Sequence, residues 1–133
     1  MISFHPTTQS PRRGGPGLWL PVAVYMAAIY WGAALTVMPG PVEGISDIVL
    51  HMAGYTGLAL VTLRATARGR WSGVTPRAMT LAFVIAVVHG MTVEVEQMFV
   101  PSRFAEWRDV GNDVIGVLVG LSAAWAWGKL FKE

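Results

Sequence analysis

Along this chain the apolar residues gather into four long runs, and nearly every charge falls in the short stretches between them. The first run extends from Leu18 to about Val37 and ends in "MPGPVEG", where two prolines and two glycines break a helix. The second runs from Ser46 to about Leu63, with Ser46 or Asp47 as its N-cap. The third runs from about Arg77 to Val100 and stops at Pro101, and the fourth runs from about Asp109 to Leu130. Each comes close to the roughly 20 residues that a helix needs to cross a hydrocarbon core about 30 Å thick. Lipid satisfies no backbone polar group, so all four are predicted to be helices. The predicted fold is an all-α membrane protein, a four-transmembrane-helix bundle over 17–133. Residues 1–16 are rich in Pro, Gly, Ser and Thr without any period, and are expected to be a disordered tail. The first run is longer than a signal-peptide core and lacks a clear small-residue cleavage site, so a retained span is expected.

Composition supports this pattern. Of 133 residues, 53% are hydrophobic and only 14% charged, and the mean hydropathy is +0.49, which belongs to membrane proteins rather than soluble domains. A pI near 9.4 would suit a nucleic-acid binder, but the basic residues lie between spans rather than on one patch, so no nucleic-acid partner is expected. Without cysteine there are no disulfides and no thiolate metal sites. The cations instead read as topology signals. Arg12, Arg13, Arg64, Arg68, Arg70, Arg77, Lys129 and Lys132 fall on one side of an alternating four-span path, and only Arg103 and Arg108 fall on the other. The positive-inside rule then predicts both termini in the cytoplasm.

That orientation draws polar residues of three spans toward the outer end of one bundle. Asp47, His51 and Tyr55 follow one another at i, i+4 and i+8, and so share a helical face. Glu94 and Gln97 share a face of the third span, with His89 and Gly90 one turn inward. An intramembrane carboxylate is costly and needs a named partner; Arg103 and His51 are the candidates for Glu94. Glu96 points nearly opposite to Glu94. On the fourth span Asp109, Asn112 and Gly116 run i, i+3 and i+7, with Asp113 beside them, and Asp109 doubles as a candidate N-cap. "GVLVG" at 116–120 is a small-xxx-small pattern that allows close helix approach. Phosphate loops, G-x-S-x-G, H-E-x-x-H and dinucleotide fingerprints are absent. His51, Glu94, Asp109 and Asp113 could chemically suit Zn or Mn. Nothing in the spacing requires an ion, and the sequence assigns no metal or cofactor.

Two segments, "DIVLHMAGY" at 47–55 and "HGMTVEVEQMFVPSRFAEWRDVGNDVIGVLVG" at 89–120, resemble the VanZ-like family of small bacterial membrane proteins. Its pattern reads roughly D-K-x-x-H-x-x-x-Y, E-x-x-Q, V-P-x-R and D-x-x-N before a glycine-bearing helix. The matching positions are Asp47, His51, Tyr55, Glu94, Gln97, Pro101, Arg103, Asp109, Asn112, Gly116 and Gly120. Ile48 stands where the family usually has Lys, Gly111 replaces a commoner small residue, and Glu96 is an unusual acid. The resemblance implies an envelope-facing membrane protein, since the namesake is linked to low-level resistance to teicoplanin, a lipid-tailed glycopeptide; resistance itself is not carried over to this chain.

The expected function is action on a lipid or lipid-linked cell-envelope molecule at the outer face. His51, Glu94 and Asp109 are the candidate catalytic residues, and His51 and Glu94 serve as acid/base or ligand groups. Asp47, Tyr55, Gln97, Arg103 and Asn112 are candidate ligand-binding residues, with the Arg103 guanidinium suited to an anionic head group. The same residues also fit a non-catalytic binder of an outer-leaflet ligand or partner, and an ion network that only fixes helix register. A small proton-coupled exporter fits less well, because its acid is expected early in the first span, which has none. The lipid bilayer is the expected partner, and the sequence assigns no oligomeric state.

Overall fold

A computed structural model describes residues 15–35 and 44–131. Four α-helices carry the fold: α1 (Trp19–Ala34), α2 (Asp47–Thr66), α3 (Pro76–Gln97) and α4 (Trp107–Leu130), with no strand among the described residues. All four spans, taking α1 together with a short 3-10 turn at Pro16–Leu18, are long and apolar enough to cross a membrane. Most of the expected disordered tail, the Pro-Gly-Pro break, Arg12, Arg13 and Lys132 lie outside the described residues. Pro16, assigned to the tail by the sequence, opens the turn before α1 instead.

Local chemistry sets the helix ends. Ser46, rather than Asp47, caps α2, its hydroxyl accepting from the Val49 N–H at 3.4 Å. Thr75 does the same for α3 toward Ala78, with Pro76 at the first helical position. α2 ends in a Schellman arrangement, in which the Gly69 N–H reaches the Arg64 carbonyl and the Arg68 N–H the Ala65 carbonyl. Two boundaries differ from the sequence reading. α3 stops at Gln97 rather than Val100, because three 3-10-type bonds from Met98, Phe99 and Val100 tighten the chain before Pro101. α4 starts at Trp107, two residues early, so Asp109 lies in its first turn and is not its cap.

α2 and α4 form the centre of the bundle. Gly116 and Gly120 let α4 press against the α2 backbone: a Cβ at Gly116 would overlap the Met52 carbonyl, and one at Gly120 would lie 2.8 Å from the Thr56 carbonyl oxygen. The Thr56 hydroxyl sits in this seam within hydrogen-bond reach of both the Met52 carbonyl (2.7 Å) and the Gly116 carbonyl (2.9 Å). α3 joins through a stripe of Ala78, Ala82 and Ala86 that continues into His89, Gly90, Val93, Glu94 and Gln97. The stripe is therefore apolar at one end and polar at the other. α1 is peripheral and buries only Val22 fully, while Leu20, Val24 and Trp31 point outward. An apolar exterior around small residues and hydrogen bonds suits a medium that gives helices no hydrophobic reason to associate.

At one end of the bundle, Leu18 approaches Gly69 and Trp71 approaches Gly128. At the other, α1 finishes beside the loop joining α3 to α4, and the start of α2 faces α4. The α2–α4 seam makes one expectation specific. Gly116→Ala should destabilise the folded protein in detergent by about 1–3 kcal/mol, the usual cost of overpacking. Gly111→Ala, whose Cβ meets nothing within 4 Å, should be neutral or stabilising by up to about 1 kcal/mol, the helix-propensity gain. Unfolding followed by circular dichroism would check both.

Candidate functional site

The polar end of the bundle is organised around one contact between the central helices. His51 on α2 lies with Nδ1 2.7 Å from Oδ1 of Asp113 on α4. An ionised Asp113 only accepts, so Nδ1 carries a proton; Nε2 then holds a lone pair in the neutral imidazole and is a second N–H donor toward Asp109 in the imidazolium. Asp113 is 1% exposed. Its second oxygen has no hydrogen-bond partner among the described residues and rests against Gly90 of α3, where an added Cβ would come within 2.7 Å. Gly90 is thus the space into which the Asp113 carboxylate fits.

His51 Nε2 faces Asp109, one turn up α4, with 3.7 Å between Nε2 and Oδ2. That is beyond hydrogen-bond range. Glu94 of α3 completes the group: one donor atom each from His51, Glu94 and Asp109 all fall within 4.8 Å of one another. Glu94 is 4% exposed. Its Oε2 accepts the Glu106 backbone N–H at 2.9 Å, which ties the end of the α3–α4 loop to α3, and Oε1 is buried without a partner among the described residues.

A cavity of about 150 Å³ adjoins this group, lined on its polar side by Asp47, His51, Tyr55, Gln97 and Arg103 and on its apolar side by Ile29, Ala33, Leu50 and Val93. Deeper in, the Tyr55 hydroxyl and His89 Nδ1 are hydrogen-bonded at 3.0 Å. Tyr30 of α1 packs edge-on to His89 and donates to the Thr92 hydroxyl, which in turn donates to the His89 carbonyl. This second network links α1, α2 and α3 beneath the cavity floor.

The expected residues therefore separate. His51, Glu94 and Asp109 come together, and Asp47, Tyr55, Gln97 and Arg103 line the adjoining cavity. Asn112 is half-buried and has no side-chain hydrogen bond among the described residues. Arg103 is not the partner of Glu94. A turn with Pro101 second, Ser102 third at φ +69° and the Arg103 N–H on the Val100 carbonyl has the signature of type II. It returns Arg103 toward α1, where its guanidinium donates to the Leu35 carbonyl at the end of that helix. Asp113 was noted in sequence only as a neighbour of Asp109 and a chemically suitable metal ligand. Its i+4 spacing from Asp109 was the available signal, but its partner on α2 was not readable from α4 alone. Glu106 and Arg108 form an exposed pair at 3.8 Å, while the Glu106 backbone serves Glu94.

If the His51–Asp113 bond organises the site, the two residues must be energetically coupled. A double-mutant cycle of His51→Ala and Asp113→Ala, read by unfolding in mixed micelles, should give a coupling of about 1–3 kcal/mol. Asp47→Asn, at an exposed position without a partner among the described residues, should change stability by no more than about 0.5 kcal/mol.

No family model, curated protein or solved structure matches this chain.

Proposed function

We propose that this chain is a VanZ-like integral protein of the bacterial cytoplasmic membrane that acts on a lipid or lipid-linked cell-envelope molecule at the outer face. The observation that carries this reading is the junction of two unlike surfaces. His51, grouped with Glu94 and Asp109 behind it, lines a cavity whose wall continues along apolar side chains of α1, α2 and α3. An amphiphile fits such a site with its polar head on His51, Asp47, Gln97 and Arg103 and its chain along Ile29, Ala33 and Val93. Arg103, in the cavity lining, supplies positive charge for an anionic head group. His51 presents a lone pair of fixed direction, the requirement for either accepting a proton or donating to an electrophile. The Lys and Arg distribution supports cytoplasmic termini and an outward-facing site.

A non-catalytic binder using the same cavity is the second reading, favoured by the fit of an apolar wall to any membrane ligand. Incubating nanodisc-embedded protein with a total bacterial envelope lipid extract separates the two. Catalysis predicts that mass spectrometry finds one lipid or lipid-linked species converted by wild type and spared by His51→Ala and Glu94→Gln. A species that co-purifies unchanged, and is lost with Arg103→Ala, would replace catalysis with binding.

Orientation is tested separately in the cysteine-free chain. A single cysteine at Ser102 should react with an impermeant maleimide on intact spheroplasts, and one at Ser72 only after lysis. The reverse pattern would put the site on the cytoplasmic face.

A further inference from the structure

We infer that His51, Glu94 and Asp109 hold a divalent transition-metal cation, with Asp113 as the residue that orients His51. The inference rests on the geometry of the site described above and not on the lipid-directed activity proposed for it.

The argument starts from charge. In a neutral imidazole Asp113 fixes the Nδ1–H tautomer, so the His51 atom facing Asp109 is a lone pair. One carboxylate oxygen each from Asp109 and Glu94 lies near it, all three atoms within 4.8 Å of one another. Three acceptors this close repel one another unless a positive charge, a metal ion or a proton, lies among them. Arg103, the cation that the sequence offered, is turned away to the Leu35 carbonyl. The salt bridges among the described residues give Glu94 and Asp109 neither Lys nor Arg. Glu94 is nine-tenths buried, and its Oε1 has no partner among the described residues. A buried carboxylate oxygen left bare is a costly arrangement that a cation at this point would relieve.

Two ligands each about 2.1 Å from a tetrahedral ion stand about 3.4 Å apart. The Nε2–Oδ2 separation of 3.7 Å closes to that with a shift of a few tenths of an ångström, and the Glu94 oxygen, within 4.8 Å of both, closes by a larger side-chain movement. One imidazole and two carboxylates suit Zn²⁺ or Mn²⁺, and two carboxylate charges balance a divalent ion in an apolar setting. Three protein ligands leave a position open toward solvent or substrate, the feature that separates catalytic from structural zinc sites. The hydrogen bond from His51 Nδ1–H to Asp113 is the carboxylate–histidine support that metal-binding imidazoles commonly have. A resident ion makes His51 a ligand rather than a free base.

The test uses untagged full-length protein in nanodiscs, stripped with chelator, returned to metal-free buffer and titrated with Zn²⁺ or Mn²⁺ by calorimetry. Elemental analysis then gives the stoichiometry. The expectation is uptake of about one ion per chain, abolished by His51→Ala, Glu94→Gln and Asp109→Asn, and unchanged by Glu96→Gln. Asp113→Asn should weaken binding by about 10–100-fold, the usual effect of removing an outer-shell partner. Co²⁺ binding should give d–d absorption that is lost in the same variants. Circular dichroism identifies any variant that fails to fold, and the near-isosteric Glu94→Gln and Asp109→Asn changes still decide if His51→Ala does. Uptake that survives both of these substitutions, or no uptake by folded wild type, would overturn the proposal. So would nitrogen NMR showing His51 as an imidazolium at neutral pH, with a proton as the missing positive charge. Metal uptake without lipid turnover would count only against the earlier functional reading.

Discussion

The polar end of this bundle depends on the hydrogen bond between His51 and Asp113. Water is scarce inside four apolar helices, so a carboxylate there must find a donor within the protein. Asp113 finds it across the α2–α4 seam, which is close enough only because Gly116 and Gly120 let Met52 and Thr56 carbonyls approach α4. Gly90 of α3 then makes room for the same carboxylate. Glycines on two helices thus serve one side chain. The bond also fixes which nitrogen of His51 bears hydrogen, so the packing of the seam determines the chemistry presented at the cavity.

The fold was largely legible in sequence because its signal is one-dimensional. Span length and apolar content do not depend on which helix packs on which. Boundaries were less so: the end of α3 depends on 3-10 closure at Met98–Val100, and the start of α4 on a loop that Glu94 ties down through the Glu106 N–H. Within the site, the i, i+4 logic placed Asp47, His51 and Tyr55 on one side of α2, and Glu94 and Gln97 on one side of α3. Pairings between helices were not readable that way. Arg103 looked like the natural partner of Glu94 by charge and proximity in sequence, yet the turn at Pro101 and Ser102 sends it to the end of α1. Asp113 was named only beside Asp109 and among possible metal ligands, because its pairing comes from His51, sixty-two positions away.

The contrast between Glu94 and Arg103 explains how one loop serves two purposes. Glu94 accepts a backbone N–H at the N-terminus of α4, where the helix dipole favours negative charge. Arg103 donates to a backbone carbonyl just past the last residue of α1, where the dipole favours positive charge. Opposite charges, Glu94 in the last turn of α3 and Arg103 six residues beyond its end, are thus satisfied by helix ends instead of by each other. The carboxylate keeps one oxygen without a partner among the described residues, near His51 and Asp109, and Arg103 still lines the cavity. A direct Glu94–Arg103 pair would have neutralised both and left a structural bridge in place of a site.

The position of α1 fits the same division. It is the least buried of the four helices, yet it supplies Ile29, Gly32 and Ala33 to the cavity wall. Its ties to the other helices include the Tyr25 ring over Gly57, the Tyr30–Thr92 hydrogen bond and the Leu35 carbonyl under Arg103. Few buried contacts imply a low free energy for local displacement, so the wall that separates the cavity from the surrounding membrane is also the one held least firmly. The α2–α3–α4 core, by contrast, keeps His51, Glu94, Asp109 and Asp113 on helices packed by glycine and alanine. For the proposed site, this places the polar groups on the rigid core and the apolar wall on the helix most easily displaced.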